Sequence, residues 1–205
     1  YEGGGYQCYY FGGSEDGAMK TDKTAITIDG EKFNFYFEKS GGSKGAGVTG
    51  LKDKKLYQSG MLMKAGTDEK YQVVARTRHT DGGSGSGVYE TYEKLDDVEA
   101  FLSSIGGNNY IAVDLSGYAE NTDMGNEFNI SNLNKKEKDL SELYIIKTGA
   151  NNKDQSADAE FDIRNYSLVN TSGKVIDSRS KSRDGNDYYY VTDGSGHITA
   201  VYAEN

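Results

Sequence analysis

Four stretches of the chain share one pattern: an apolar or aromatic run, a polar turn closed by glycine, and a second short apolar run. Tyr10-Phe11 leads through Asp16-Gly17 into Ala18-Met19-Lys20-Thr21. Leu56-Tyr57-Gln58-Ser59-Gly60 leads into Met61-Leu62-Met63-Lys64, and Leu168-Val169-Asn170-Thr171-Ser172-Gly173 into Lys174-Val175-Ile176. Tyr189-Tyr190-Val191-Thr192-Asp193-Gly194-Ser195-Gly196 leads into His197-Ile198-Thr199. Each reads as a β-hairpin, because glycine supplies the positive φ of a tight turn. In the first, Tyr9-Tyr10-Phe11 is expected as a strand, Gly12 to Gly17 as its turn and Ala18 onward as the return. Gly173 and Gly196 lie 23 residues apart, and Gly17 and Gly60 lie 43 apart, close to two such periods. The segment Lys32 to Val48, where Phe33, Phe35 and Phe37 alternate with Asn34 and Tyr36, fills the gap with a longer loop at Ser40 to Gly47. A hairpin of about twenty residues cannot bury its own apolar face, so each unit must stack on a neighbour.

Composition agrees with a thin fold. Only 35% of the 205 residues are hydrophobic and the mean hydropathy is -0.74, too polar for a thick core. Disorder is the wrong reading, since 17 Tyr and no Pro run against the composition of disordered chains. The expected class is mainly β: stacked β-hairpin repeats, β-solenoid-like, with an embedded α+β insertion. Hairpin repeats are assigned to residues 1–74 and 164–205, and the insertion to 75–163.

Within the insertion, Asp81 to Gly87 reads as a flexible loop or an exposed strand connection. Leu95, Val98, Phe101, Leu102 and Ile105 follow the period of one helix face, with Asp96, Asp97 and Glu99 on the polar side and Gly106-Gly107 as the stop. Tyr110 to Leu115 and Leu143 to Ile146 read as strands, Asn132 to Asp139 as an exposed loop, and Ala159 to Ile163 as the return to the repeats.

The formal net charge of -9 argues against nucleic acid and anionic membrane as partners. No apolar run approaches the roughly eighteen residues of a membrane span. Cys8 has no second cysteine to pair with and reads as a packed small residue. The start at Tyr1 is expected to be that of a mature fragment from which any signal segment has been removed. His79 and His197 are the only histidines, and neither a Gly-x-Ser-x-Gly elbow nor a His-Glu-x-x-His helix is present. Asp96, Asp97 and Glu99 read as a charged helix face. Asp184, Asn186 and Asp187 read as a turn, lacking the spacing and terminal Glu of a calcium loop. Gly82 to Gly87 lacks the Gly-Lys-Ser/Thr ending of a phosphate loop. No catalytic residue, metal ligand or cofactor is expected.

The hairpin units resemble the cell-wall-binding repeats, of choline- and glucan-binding type, on Gram-positive surface proteins. The matching pieces are Tyr9-Tyr10-Phe11 with Asp16-Gly17-Ala18-Met19-Lys20-Thr21, and Val48-Thr49-Gly50 before Lys55-Leu56-Tyr57. Tyr166 to Lys174 and Asp184 to Tyr190 resemble the divergent form of gut Firmicutes. The likeness spans residues 6–74 and 164–202. It implies a secreted, wall-associated protein whose hairpins stack as a solenoid. In choline-binding members, aromatics of successive hairpins cage a trimethylammonium group. Those cages lean on tryptophan, which this chain lacks, so Tyr and Phe stand in its place. The positions that resemble the cage are Tyr36, Tyr57 and Tyr190, with Tyr10 and Phe11 next. The expected function is a non-catalytic surface module that attaches a secreted protein to cell-wall polymer or surface polysaccharide. A spacer or stalk without a ligand is the alternative, and a glycan-active enzyme using carboxylates in 75–163 a distant one. Exposed aromatic pairs favour binding, and mutually buried tyrosines with no groove favour the spacer.

Overall fold

The structure is a computed structural model that describes residues 7–13, 15–80, 87–113, 140–147 and 161–204. Most of the Asp81 to Gly87 loop, the Asn132 to Asp139 loop and Ala159-Glu160 lie outside those residues. Half of the described residues are strand and 9% are helix, so the protein is mainly β, with antiparallel sheets.

The first sheet is built on two-residue turns. Strands β1 (Asp22–Ile28) and β2 (Glu31–Phe37) pair across Asp29-Gly30, whose φ values of 51° and 85° are both positive. Such turns twist with the strands they join. β3 (Gly50–Lys52) and β4 (Lys55–Gln58) pair across Asp53-Lys54, and β4 pairs with β5 (Met61–Met63) across Ser59-Gly60. The order is β1-β2-β5-β4-β3. β2 meets β5 at one register pair, Phe35 with Met61. There the Gly60 N–H donates to the Val48 carbonyl at 2.7 Å and the Tyr36 N–H to the Gly60 carbonyl at 2.8 Å. Gly47 packs so closely that a Cβ on it would stand 2.5 Å from the Ser59 carbonyl oxygen, leaving no room for a side chain.

The opening hairpin is not formed as expected. Tyr9-Tyr10-Phe11 is not a strand, and its loop closes through the Lys20 N–H on the Tyr10 carbonyl at 2.8 Å. Gly12 and Gly13 offer no side chains to pack a ladder. The segment is tied to its neighbours instead, with the Cys8 carbonyl taking the Gly47 N–H at 2.7 Å and the Tyr10 ring stacked on Phe37. The hairpin of this region lies later, across Asp29-Gly30.

The remaining elements are β6 (Tyr71–Thr80), β7 (Val88–Leu95), α1 (Val98–Ile105), β8 (Tyr110–Ala112), β9 (Leu140–Ile146), β10 (Tyr166–Asn170), β11 (Ser180–Arg183), β12 (Tyr188–Thr192) and β13 (Ile198–Glu204). They form a sheet ordered β10-β6-β7 and another ordered β11-β12-β13-β9-β8. The helix is the one the periodicity predicts. Asp97 caps it by accepting the Ala100 N–H at 2.7 Å, and Gly106 ends it at φ 82°. Its buried face of Val98, Phe101, Leu102 and Ile105 joins Val73, Leu168, Ile146, Tyr190, Ile198 and Val201 in the main core. The opposite face of β9 and β13 buries Leu143, Ile145, Ala200 and Tyr202. A third cluster, Leu56, Met63, Val74 and Val169, fixes the first sheet to the second.

Turns in the C-terminal part depend on a side chain. Asn170 Oδ1 accepts the N–H groups of Ser172 and Lys174, each at 3.0 Å. Asp184 accepts those of Asn186 and Tyr188 at 2.8 and 3.0 Å, and Asp193 those of Ser195 and His197 at 2.8 and 3.0 Å. The same local bonding therefore recurs three times, satisfying turn donors that have no strand partner.

Candidate functional site

Three of the five aromatics expected to face a ligand are core residues. Tyr36 and Tyr57 are 4% and 3% exposed and pack ring against ring at 5.7 Å. Burial pushes the Tyr57 hydroxyl pKa up, and Asp53 adds to the shift. The Tyr36 ring face is already taken by a cation of the chain, since Lys52 Nζ lies 5.4 Å from its centroid. Tyr190, 3% exposed, belongs to the other five-stranded sheet and packs on Phe101, and burial drives its hydroxyl pKa far up. A ring so covered has no face for a sugar or a trimethylammonium group. Tyr10 is half-buried against Phe37, and Phe11 alone of the five is exposed, at 54%. Tyr36 and Tyr57 are brought together, Tyr10 stacks on Phe37, whose ring faces the opposite side of β2 from Tyr36, and Tyr190 stands apart.

A groove of ≈ 460 Å³ opens beside the buried tyrosines. Register places Lys23 with Tyr36 and Ala25 with Asn34 on one face of β1 and β2, and Tyr57 with Leu62 on β4 and β5. Lys23, Asn34, Lys55 and Lys64 line the groove, and Thr171-Ser172 form a wall. Tyr57, Leu62 and Phe35 supply its apolar part. The wall belongs to the turn held by Asn170, which also accepts the Ser172 hydroxyl at 2.8 Å. Its lining contains no carboxylate, imidazole or thiol.

The electrostatics of this face are unusual for an acidic chain. Lys52 lies opposite Lys55 in the β3–β4 register, and Lys55 is bridged on its other side to Lys174. Like charges directly opposite each other in a sheet destabilise it. Lys52 is compensated by Glu38 at 3.6 Å. Among the described residues Lys55 and Lys64 make no ion pair.

The other reactive side chains are engaged elsewhere. His79 Nε2 lies 2.8 Å from the Thr91 hydroxyl, and its ring stacks on Tyr89. His197 Nδ1 lies 3.2 Å from Asp193, inside the turn. Asp97 is the helix cap, and Asp184 is the turn residue the sequence suggests. Burial raises the Asp184 pKa against the opposing pull of the Tyr188 and Asn186 N–H groups. Cys8 is exposed rather than packed, because its segment pairs through backbone atoms and buries no side chain there. Among the described residues no group of three His, Cys, Asp or Glu side chains converges to hold a metal, and no helix is long and apolar enough to cross a membrane.

No family model matches the chain, and no curated protein or solved structure matches it. The lysine groove was missed by sequence reasoning, although Lys52-Asp53-Lys54-Lys55 carries a signal for it. Any two-residue turn at Asp53-Lys54 must set Lys52 and Lys55 side by side.

Proposed function

We propose that the protein is a non-catalytic surface module that holds a secreted protein to a cell-wall polymer or surface polysaccharide. In this reading its hairpin units stack as an extended repeat array. The observation that carries it is the groove on the first sheet. Its lining combines amide, hydroxyl and ammonium donors with the apolar edges of Phe35, Tyr57 and Leu62. Such a mixture suits a sugar or polyol chain, which presents hydroxyls on its rim and C–H groups on its faces. The lining offers no carboxylate or imidazole, the commonest general acids and bases, which supports retention of a ligand rather than its cleavage. The resemblance of the hairpin segments to wall-binding repeats points to the same class, with the binding surface moved from aromatic cages to a strand face.

The ligand-free spacer draws support from the buried Tyr36, Tyr57 and Tyr190 but leaves the groove without a use. The two readings part in one experiment. The full chain is tested for sedimentation with purified Gram-positive wall fragments and for binding to an array of bacterial and plant polysaccharides. An Ala25→Trp variant, which fills the groove from a solvent-facing strand position, is run beside it with circular dichroism as the folding control. Binding by the parent and its loss in the variant are expected. Failure to bind every fraction, or equal binding by both proteins, rules out the groove as an attachment site.

A further inference from the structure

We infer that the groove is built for a polymer whose repeating charge is a phosphodiester, gripped by Lys55 and Lys64 with Lys23 and Lys174 beside them. This rests on the surface-module reading and names the chemistry of its ligand. Three observations carry it. Lys23, Lys55 and Lys64 all line one groove, and no carboxylate lines it with them. Lys55 and Lys64 are left without ion pairs among the described residues, although the chain is acidic overall and Lys20, Lys39, Lys52 and Lys54 each find a carboxylate. Finally, register forces Lys52, Lys55 and Lys174 into a row across neighbouring strands. A fold that keeps such a repulsion gains most from an anion laid along it.

The row also sets the size of the ligand. Neighbouring strands stand about 4.8 Å apart, so three lysines in line cover roughly 10 Å, more than one compact anion occupies. A chain of anionic groups fits this better than a single ion. The groove contains ammonium, hydroxyl and amide groups but no guanidinium. Lysine acts as a point charge with three rotatable donors and binds phosphate in that way, without imposing planar geometry on its ligand. The net charge of -9 does not prevent this. Screening at physiological salt acts over about 8 Å, so an anion in the groove responds first to the lysines that line it.

The test uses the full chain and four labelled probes: poly(glycerol phosphate), polygalacturonate, dextran and a single-stranded DNA oligonucleotide. Binding is read by fluorescence anisotropy at about 50 and about 200 mM salt, where contacts to phosphates weaken strongly. The expected result is preferential binding of poly(glycerol phosphate) with a marked loss at the higher salt. Lys55→Gln and Lys64→Gln each weaken it by about tenfold, the usual scale for a hydrogen bond to a charged group. Lys55→Arg retains most of the binding, and Lys94→Gln, at an exposed position of β7, leaves it unchanged. Should a glutamine variant melt early, Lys55→Arg and the salt series decide alone. Dextran bound as tightly as the phosphate polymer, without salt dependence, overturns the charge assignment while leaving the surface module standing. A preference for polygalacturonate or for the oligonucleotide overturns the ligand class. No binding of poly(glycerol phosphate) at low salt overturns the inference, and only joint failure with the wall fractions removes the surface module too.

Discussion

The two five-stranded sheets reverse their chains by different chemistry, and the difference decides which of them keeps an open face. In the N-terminal sheet, Asp29-Gly30, Asp53-Lys54 and Ser59-Gly60 turn within two residues by entering the left-handed region. The backbone does the work, and each turn is only two residues long. In the C-terminal part, Asn170, Asp184 and Asp193 each use a side chain to hold a longer turn. Such turns project, and the one after β10 extends over the N-terminal sheet to form the Thr171-Ser172 wall of the groove. Helix α1, meanwhile, covers the C-terminal sheet and buries Phe101 completely. One sheet spends its faces on a core, while the other leaves a strand face lined with lysines.

The sharpest way to break this contrast is to truncate a ring in each sheet. Phe101→Ala is expected to cost about 3–5 kcal/mol in urea denaturation, and Phe35→Ala, half-buried, about half of that. Equal losses would mean that the two sheets are covered alike. The turns come next. Asp193→Ala removes the acceptor of two turn N–H groups and should cost about 1–2 kcal/mol by the same measurement. Asp29→Asn keeps a residue that tolerates left-handed φ and should change stability by less than about 0.5 kcal/mol.

Two similar turns should also respond oppositely to pH. Burial opposes ionisation of Asp193, but the N–H groups of His197 and Ser195 outweigh it and hold the pKa below its ordinary value. Its contribution is present above the unfolded carboxyl value of about 3.9 and is lost as pH falls through the lower folded value. Asp184 has its folded pKa raised by burial, so its contribution is full below about 3.9 and is lost as pH rises through the folded value. In melting curves, Asp184→Asn should gain on the parent as pH rises from about 3 to about 7, and Asp193→Asn should fall behind it over the same range. Parallel responses would show that the shared geometry does not carry the difference. A further turn effect concerns Lys54, which sits at φ 62° where glycine is strain-free. Lys54→Gly should stabilise by up to about 1 kcal/mol, reduced by loss of the exposed pair with Asp177; a destabilised variant would mean that the pair outweighs the strain.

Local signals carried into the structure where neighbours in sequence are neighbours in space. Val98, Phe101, Leu102 and Ile105 show the helix, Gly106 its end, and Ser59-Gly60 and Asp193 to Gly196 their turns. The opening hairpin was misplaced because Asp16-Gly17 and Asp29-Gly30 are the same dipeptide, and only the second is flanked by β-forming residues on both sides. The tyrosines defeated the site prediction for a general reason: a ring that suits a ligand platform suits a core equally well. The groove was least legible, since the bridge between Lys55 and Lys174 joins distant parts of the chain.

The pairing of β6 with β10 has a consequence in time rather than in space. Residues Tyr71 to Ala75 find their partners at Tyr166 to Asn170. During synthesis the β6–β7 hairpin must therefore wait, one edge open, until the chain has emerged as far as Asn170. Such long-range closure slows folding. The groove inherits the delay, because its Thr171-Ser172 wall arrives on the strand that closes that edge. Completion of the groove and completion of the middle sheet thus become the same late event.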